Sequence, residues 1–311
     1  MAQAEFEKRS KTRGYKPTAS CFSGKIFCGN CGAMYGSKVG KDDLALVISQ
    51  SGETADTKAG LDEAKDRGAR VLSIVNVVES AIANASDDVL YTWAGPEIAV
   101  ATTKAYSTQL AVVYLFAAYM ADKLGLMSAA EYSELIKDLE KLPGQVKQII
   151  DNKAELQYLA SLYFNARDIF FIGRNHDYAV ALEGSLKLKE ISYVHSEAYA
   201  AGELKHGTIS LIEDGTLVIA LATHDGLFDK TVSNIKEVKA RGAKVIGVTT
   251  DKNKDKLMGV ADHIISVPDI APILLPSLTV VPLQLFSYYV ASLRGCDIDK
   301  PRNLAKSVTV E

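Results

Sequence analysis

Cysteine is scarce in this sequence of 311 residues, which contains only Cys21, Cys28, Cys31 and Cys296. Disulfide frameworks are typical of small secreted domains, whereas a chain of this length can bury a hydrophobic core without them. We therefore expect no disulfide framework, and room for one large or two ordinary domains.

An excess of positive charge, a signal peptide and a long apolar run are also missing. The 35 Lys and Arg are balanced by 38 Asp and Glu, for a net charge of -3 at pH 7, so the sequence predicts no basic surface for nucleic acid. Residues 1–14 lack the apolar core of a signal peptide, and no apolar run looks long enough to span a bilayer. We expect a cytoplasmic protein that binds neither nucleic acid nor membrane.

Residues 1–41 differ from the rest of the chain because they are basic, rich in Gly and Ser, and hold three of the four cysteines. The pair Cys28 and Cys31, with Cys21 upstream, resembles the first half of the zinc ribbon of large serine recombinases. A closed zinc site needs four ligands, and this segment has neither a second CxxC pair nor a His. Two alternatives stay open: three thiolates that hold a metal with an outside ligand, or an unrelated and idle remnant, which predicts no metal.

From Asp43 onward, short apolar runs alternate with helical patterns. The predicted strands cover residues 44–48, 71–75, 89–91, 169–172, 216–221, 245–248 and 264–267. The predicted helices cover residues 55–67, 96–124, 131–152, 182–194, 228–241 and 276–293. This alternation is typical of a doubly wound α/β fold with a parallel sheet.

The two halves of this pattern are copies. The run ARVLSIV after Arg67-Gly68 matches AKVIGVT after Arg241-Gly242, and Arg241 lies 174 residues after Arg67. An internal repeat of this length predicts two related units, which we place at residues 42–155 and 156–311. The first unit lacks a counterpart of the strand and helix predicted at residues 169–194, so its opening strand and helix are missing.

A row of charged residues lies on one predicted helix face, because Glu183, Lys187 and Glu190 are spaced four and three residues apart. Glu203, Lys205 and His206 follow. The row is either a solvated, ion-paired surface or a set of groups tuned for proton transfer in a partly dry cleft. The neighbours predicted to face the core are Leu182, Leu186, Ile191 and Val194.

The sequence SQSGET, residues 49–54, lies between a predicted strand and a predicted helix. Hydroxyl groups and backbone N–H groups in such a loop can wrap a phosphate, although Ser51 or Thr54 could instead cap the helix. The matching place in the second unit, residues 223–228, reads THDGLF. An acidic residue and a Phe suit phosphate poorly, so we expect an anion site only in the first unit.

Residues 182–207, LEGSLKLKEISYVHSEAYAAGELKHG, resemble the isomerase region of the glucosamine-6-phosphate synthase family, as do SQSGET and the C-terminal PRNLAKSVTVE. The resemblance runs from about Asp43 to Glu311. It implies two SIS (sugar isomerase) units, a sugar-phosphate substrate, ketose–aldose isomerisation, and a homodimer. No metal or other cofactor is implied, because this shift can run on acid–base chemistry alone.

The resemblance also implies roles for individual residues. Glu190 would move the proton between C1 and C2, His206 would assist ring opening, and Lys306 would engage the carbonyl carbon. Glu183 and Lys187 would set the field around Glu190. The sugar phosphate would contact Ser49, Gln50, Ser51, Thr54, Val100, Ala101 and Ala305. Burial of Leu304 and Val308 is expected to anchor the tail that carries Lys306.

Three hypotheses for function stay open: an isomerase fragment, a phosphosugar-binding module without turnover, and an inactive fusion fragment. The residues Glu190, His206 and Lys306 favour the first, whereas the missing opening strand favours the others. The family's glutamine-hydrolysing domain starts with a catalytic Cys, and this chain begins with Met1, so we expect no glutaminase activity. We expect surface or core positions without functional neighbours for His176, His195, His224 and His263.

Overall fold

The computed structural model describes residues 26–27, 34–35 and 43–306. Strands β1 (Ile26–Phe27) and β2 (Met34–Tyr35) form a short antiparallel pair. The predictions for Cys21, Cys28, Cys31 and Val308 lie outside the described residues.

The first unit consists of β3 (Leu44–Ser49), α1 (Ala55–Asp66), β4 (Arg70–Val75), α2 (Ala81–Ala85), β5 (Asp88–Tyr91) and α3 (Lys104–Lys123). Its three strands form a parallel sheet in the order β3-β4-β5. The central strand is buried on both faces, since Val71 and Ile74 are fully inaccessible. Helices α1 and α2 pack on one face through Leu61 and Ile82.

The second unit consists of α4 (Ala129–Asp151), α5 (Ala154–Tyr163), β6 (Asp168–Gly173), α6 (His176–Ser192), β7 (His195–Ala200), β8 (Leu217–Ala222), α7 (Phe228–Lys239), β9 (Lys244–Thr250), α8 (Lys254–Leu257), β10 (His263–Val267) and α9 (Leu275–Leu293). Its five strands form a parallel sheet in the order β10-β9-β8-β6-β7. One core lies under α5, α6 and α9, and the other under α7 and α8. The predicted α/β fold with parallel sheets is confirmed.

Helix α9 is the core helix of the second unit. Residues Pro272–Leu293 are long and apolar enough to cross a membrane by length and composition, so the expectation that no run reaches this length was wrong. However, 67% of the apolar 18-residue stretch within this helix is buried, and Leu278 and Phe286 belong to the core. Apolar residues on every side of a helix are typical of one that is covered by protein.

Helices α6 and α9 approach each other closely at Gly184, where a Cβ atom would lie 2.6 Å from Leu283 Cδ1. Helix α6 begins at His176, six residues before the predicted start at Leu182. Its core face carries Gly184 and Leu188 together with Ile191.

The predicted core face of α6 was therefore partly wrong. Ile191 and Val194 are buried, but Leu182 and Leu186 are 47% and 43% exposed. Residues two positions apart are separated by about 200° around a helix, so a face centred on Gly184 and Leu188 turns Leu182 and Leu186 outward.

The repeat can be followed residue by residue, because Leu44 pairs with Arg70 in the first sheet as Leu217 pairs with Lys244 in the second. In β8, Leu217, Ile219 and Leu221 are buried at 1%, 1% and 0% exposure. Their counterparts in β3, which are Leu44, Leu46 and Ile48, are 47%, 42% and 41% exposed. Among the described residues the first unit has no counterpart of β6, α6 or β7, so β3 is an edge strand with one half-exposed apolar face.

Candidate functional site

The loop after β3 is held by its own hydroxyl groups. Ser49 Oγ accepts a hydrogen bond from the Gly52 N–H at 3.0 Å and lies 3.0 Å from Thr54 Oγ1. Gly52 has φ 71°, and a Cβ atom there would lie 2.0 Å from Ser80 Oγ, so only glycine fits. Thr54 is the N-cap residue of α1, but its side chain makes no capping hydrogen bond. Capping by Thr54 is therefore not the role of this hydroxyl, and the phosphate site in this loop stays a prediction.

Asn76, directly after β4, ties three loops together at the carboxyl edge of the first sheet. Its N–H donates to Gln50 O at 3.1 Å. Its Oδ1 accepts from Thr92 Oγ1 at 3.0 Å and from the Ala94 N–H at 2.9 Å, and its Nδ2 donates to Gly95 O at 3.0 Å. The loops that follow β3, β4 and β5 therefore form one connected surface, which is where α/β sheets bind ligands.

Residues 96–103 form a loop where the sequence predicted the start of a helix. Glu97 Oε1 accepts from the Thr103 N–H at 2.8 Å, and Lys104 Nζ donates to Pro96 O at 2.6 Å. Ala101 is 3% exposed and packs in a small cluster with Ile191 of α6 and Ala291 of α9. This loop therefore joins the first unit to the helix that carries Glu190.

The C-terminal tail lies against the same loop and against the end of α6. The Val100 N–H donates to Asp299 O at 2.9 Å. The Arg302 N–H donates to Tyr193 Oη at 2.8 Å, and the Arg302 guanidinium lies 4.2 Å from the centre of the Tyr193 ring. The expected anchor Leu304 is 44% exposed, so polar contacts, and not its burial, hold the tail.

Lys306 reaches the loop as well. Its Nζ donates to Ala99 O and lies 3.6 Å from Glu97 Oε2. The structure thus brings Lys306 to the loop that contains Val100 and Ala101, and the roles of these residues stay predictions.

In the charged row on α6, Lys187 is buried and the two carboxylates are half-buried, which disfavours the solvated-surface interpretation. Lys187 is 4% exposed, and its Nζ lies 2.5 Å from Glu190 Oε2 and 3.6 Å from Glu183 Oε1. Burial raises the pKa of Glu183, while the positive charge of Lys187 opposes this rise. Burial also raises the pKa of Tyr106 on α3 to about 12, and the charge of Glu183 adds to the effect. The row can therefore hold a proton and move it in a partly dry environment.

His206 is apart from this group within one chain. It ends a short 3-10 helix, Leu204–His206, and is exposed. Between residues 43 and 306, no hydrogen bond or ion pair joins its imidazole to Glu190 or Lys306.

Two of the remaining histidines form an unexpected cluster. The rings of His176 and His224 stack with centroids 5.0 Å apart, at the carboxyl ends of β6 and β8. Asp177, 1% exposed, accepts from the Thr223 N–H at 2.8 Å and from the Thr223 hydroxyl. These two histidines thus lie beside other titratable residues, although the sequence separates them by 48 positions. His195 pairs with Asp168 at the surface.

Sequence reasoning also missed Asn76, Glu97 and Tyr106. A distinct cavity of about 330 Å³ lies between α4, α5 and the ends of β9 and β10, and it contains none of the predicted site residues. Its lining includes Gln148, Asn152, Glu155, Asp251 and Lys254. The candidate site is instead an open surface of loops. Within the described ranges, no group of three or more His, Cys, Asp or Glu is placed to hold a metal ion.

Comparison with known proteins gives a consistent result. The SIS domain family matches residues 31–119 and 162–294. A glutamine–fructose-6-phosphate aminotransferase (isomerizing) of Caldanaerobacter subterraneus is 61% identical over 268 residues, which cover 86% of this chain and 44% of the relative. The corresponding protein of Clostridium tetani is 58% identical over 275 residues, 88% of this chain and 45% of the relative. The chain thus spans less than half the length of these curated relatives.

Solved structures share the fold. The C-terminal domain of glucosamine-fructose-6-phosphate aminotransferase from Francisella tularensis matches with a TM-score of 0.80 and 36% identity, over 83% of this chain and 73% of that one. A glucosamine-6-phosphate deaminase from Thermotoga maritima matches with a TM-score of 0.66 and 27% identity, over 85% of this chain and 75% of that one.

Proposed function

Because the chain belongs to the SIS domain family, we propose that it binds fructose 6-phosphate or glucosamine 6-phosphate and interconverts ketose and aldose forms. This is the isomerase half of the reaction named for its relatives. The observation that carries the proposal is the meeting of three parts at one end of α6. These are the buried Glu183–Lys187–Glu190 row, the loop at Ala101, and the tail that bears Lys306.

Each predicted residue has a task in this scheme. The loop with Ser49, Gln50, Ser51 and Thr54 holds the phosphate at the N-terminus of α1, where the helix dipole favours negative charge. Glu190 takes the proton from C1 of the open-chain ketose and returns it to C2 through an enediol. Lys187 and Glu183 hold Glu190 in place and set the electrostatic field around its carboxylate.

Lys306 supplies an amine at the carbonyl carbon. Attack of the unprotonated amine on C2 with loss of water gives a Schiff base. Hydrolysis returns that water, releases the amine and restores the open-chain ketose, from which Glu190 removes the C1 proton. Val100 and Ala101 form the wall beside the tail together with Ala305. His206 assists ring opening from the neighbouring subunit of a homodimer. We further propose that the units cover residues 42–155 and 156–311, that the protein is cytoplasmic, and that these residues carry out no glutamine hydrolysis.

A second candidate is a phosphosugar-binding module without turnover. It is favoured by the first sheet, which has three described strands where the second has five. An SIS phosphate site needs loops from neighbouring strands, and the described first unit offers the loop after β3 but none from a strand on its outer side. Weak binding without isomerisation would follow from such a half-built site.

The deciding experiment follows glucose 6-phosphate formation from fructose 6-phosphate by NMR, with the purified chain and no ammonia. We expect turnover by the parent chain and a loss of about 10²- to 10⁴-fold in Glu190→Gln, because a general base is removed while the size of the side chain is kept. Glu134→Gln, on the exposed side of α4, is the matched control and should turn over like the parent.

Binding of fructose 6-phosphate without turnover by the parent chain would support the module instead. The absence of both binding and turnover would support the inactive fragment.

A further inference from the structure

Glu97 has an unusual environment for a carboxylate. Its side chain is 3% exposed. Oε1 accepts from the Thr103 N–H at 2.8 Å and lies 3.4 Å from Thr103 Oγ1. Oε2 is buried without a hydrogen-bond partner among the described residues, and it faces Lys306 Nζ at 3.6 Å. A buried charged oxygen without a partner is costly, so the ammonium of Lys306 is the group that compensates it.

The tail needs such a contact. Leu304 is 44% exposed and contributes little burial. Upstream, the tail is held by the hydrogen bonds from Val100 to Asp299 and from Arg302 to Tyr193. Beyond Arg302, the contacts that fix its position among the described residues are those of Lys306 with Ala99 O and Glu97. The side chain of Lys306 is itself 31% exposed, so without Glu97 water competes for the ammonium.

We propose that Glu97 is the positioning residue of Lys306. Its buried Oε2, which lacks a hydrogen-bond partner among the described residues, holds the ammonium against the 96–103 loop and thereby holds the tail over the sugar site. The part that concerns sugar chemistry rests on the proposed function. The part that concerns the tail does not, because it follows from the geometry of Glu97 and Lys306 alone. The Thr103 N–H holds the other oxygen, Oε1, so the direction of the carboxylate does not depend on the tail.

A double-mutant cycle tests the pair in the full chain without substrate. The variants are Glu97→Gln, Lys306→Met and the two combined, and the readout is amide hydrogen exchange of residues 299–306. Glu97→Gln keeps an oxygen as acceptor for the Thr103 N–H and turns the NH₂ group toward the ammonium. We expect exchange of the tail to accelerate about tenfold in Glu97→Gln and at least as much in Lys306→Met, which also loses the hydrogen bond to Ala99 O. The double variant should exchange no faster than Lys306→Met, because that variant already lacks the contact with Glu97.

Two further variants separate positioning from general damage. Glu97→Asp keeps the charge and should restore part of the protection, whereas Glu134→Gln makes the same charge change on α4 and should leave the tail as in the parent. If Glu97→Gln proves unstable, Lys306→Met and Glu97→Asp still report on the contact. Tail exchange at the parent rate in Glu97→Gln, or fully additive effects in the double variant, would overturn the proposal.

A second readout connects the tail to chemistry. Borohydride reduction in the presence of fructose 6-phosphate should trap the sugar on Lys306, at a rate about tenfold lower in Glu97→Gln. If the parent chain traps no sugar while tail exchange responds to Glu97, the proposed Schiff base at Lys306 fails and the role of Glu97 stands. If trapping is unaffected by Glu97→Gln, positioning for the reaction is ruled out.

Discussion

Ser49 and Ser51 are two residues apart in the loop after β3 but occupy different environments. Ser49 is 5% exposed, and its hydroxyl is engaged by Gly52 and Thr54 inside the loop. Ser51 is only half-buried, and its Oγ accepts from the Glu53 N–H at 3.2 Å. Ser49 therefore shapes the loop, and Ser51 is the better position at which to disturb a ligand without unfolding the loop.

We predict that Ser51→Asp abolishes binding of fructose 6-phosphate, measured by titration calorimetry. A carboxylate at this position would repel the phosphate across a few ångströms, and a loss of more than about a hundredfold is expected. Ser51→Ala, which removes the hydroxyl without adding charge, should weaken binding by only about tenfold. Unchanged affinity in Ser51→Asp would place the phosphate elsewhere.

The protonation of His176 is coupled to folding. Burial lowers its pKa below the ordinary value of 6.5; the charge of Asp177 opposes this shift, and the neighbouring His224 adds to it. The unfolded chain therefore binds more protons than the folded chain once the pH falls below about 6.5, so stability declines as the pH falls through that region.

We predict that replacing His176 by Asn flattens this decline. Urea unfolding at about pH 7.5 and about pH 5.5 should show a larger loss of stability on acidification in the parent than in His176→Asn. His195→Asn is the control for the loss of a histidine elsewhere, because His195 is exposed beside Asp168. Equal pH dependence in the parent and His176→Asn would show that another group carries it.

At the scale of elements, β3 and β8 are the same strand of the repeat in different surroundings. β8 lies between β6 and β9 and under α6, whereas β3 pairs only with β4 among the described residues. Ile219 is 1% exposed, and its counterpart Leu46 is 42% exposed. The cost of deleting a side chain depends on how many atoms surround it, so the two positions provide a matched comparison.

We predict that Ile219→Ala lowers the free energy of unfolding by about 2–5 kcal/mol, and that Leu46→Ala lowers it by about 1 kcal/mol or less. Urea unfolding followed by circular dichroism measures both, and separate transitions of the two units would assign each loss to its own unit. A loss at Leu46 as large as that at Ile219 would mean that another part of the protein or a partner covers this face.

The sequence predicted the buried strands well, because β6, β8 and β9 are nearly continuous apolar runs. It missed β7, His195–Ala200, since an edge strand reading HSEAYA has neither an apolar run nor a clear alternation. It also missed the first turns of α6, because Arg174-Asn175-His176-Asp177 has the polar composition of a loop. Tertiary packing decides both cases, and a single sequence does not show it.

The same distinction applies to the site. The row of Glu183, Lys187 and Glu190 could be predicted because its spacing is set by one helix. The partner of Lys306 could not, since Glu97 lies 209 positions earlier in the chain and their contact depends on how two units and a tail pack. His206 was found through the resemblance, and the geometry of one chain leaves it untested.

At the scale of the whole molecule, the candidate site is assembled from both units. The loop after β3 belongs to the first sheet, whereas the charged row and the tail belong to the second unit, and the cluster around Ala101 joins the two units. On the outward face of α6, Leu182 and Leu186 are 47% and 43% exposed. Exposed apolar side chains on a helix of the site suit a contact with a second copy of the chain, and twofold dimers are the commonest assemblies.

We therefore predict that His206 completes the site of the neighbouring subunit. His206→Ala and Glu190→Gln should each be inactive alone. In a mixed dimer, one site would combine an intact Glu190 from one chain with an intact His206 from the other, while the second site would lack both. A purified mixed dimer should then show about half of the parent activity, and a random equal mixture about one quarter.

The mixed dimer is isolated with two affinity tags, one on each variant, and assayed by glucose 6-phosphate formation. Re-mixed dimers of the tagged parent chains are the control for losses during exchange of subunits. Activity that appears only in the mixed dimer requires residues of both chains in one site, since neither variant can supply the missing group to itself. Mixed dimers as inactive as the single variants would mean that each site is complete within one chain, and that His206 reaches Glu190 by a movement of the 204–206 turn.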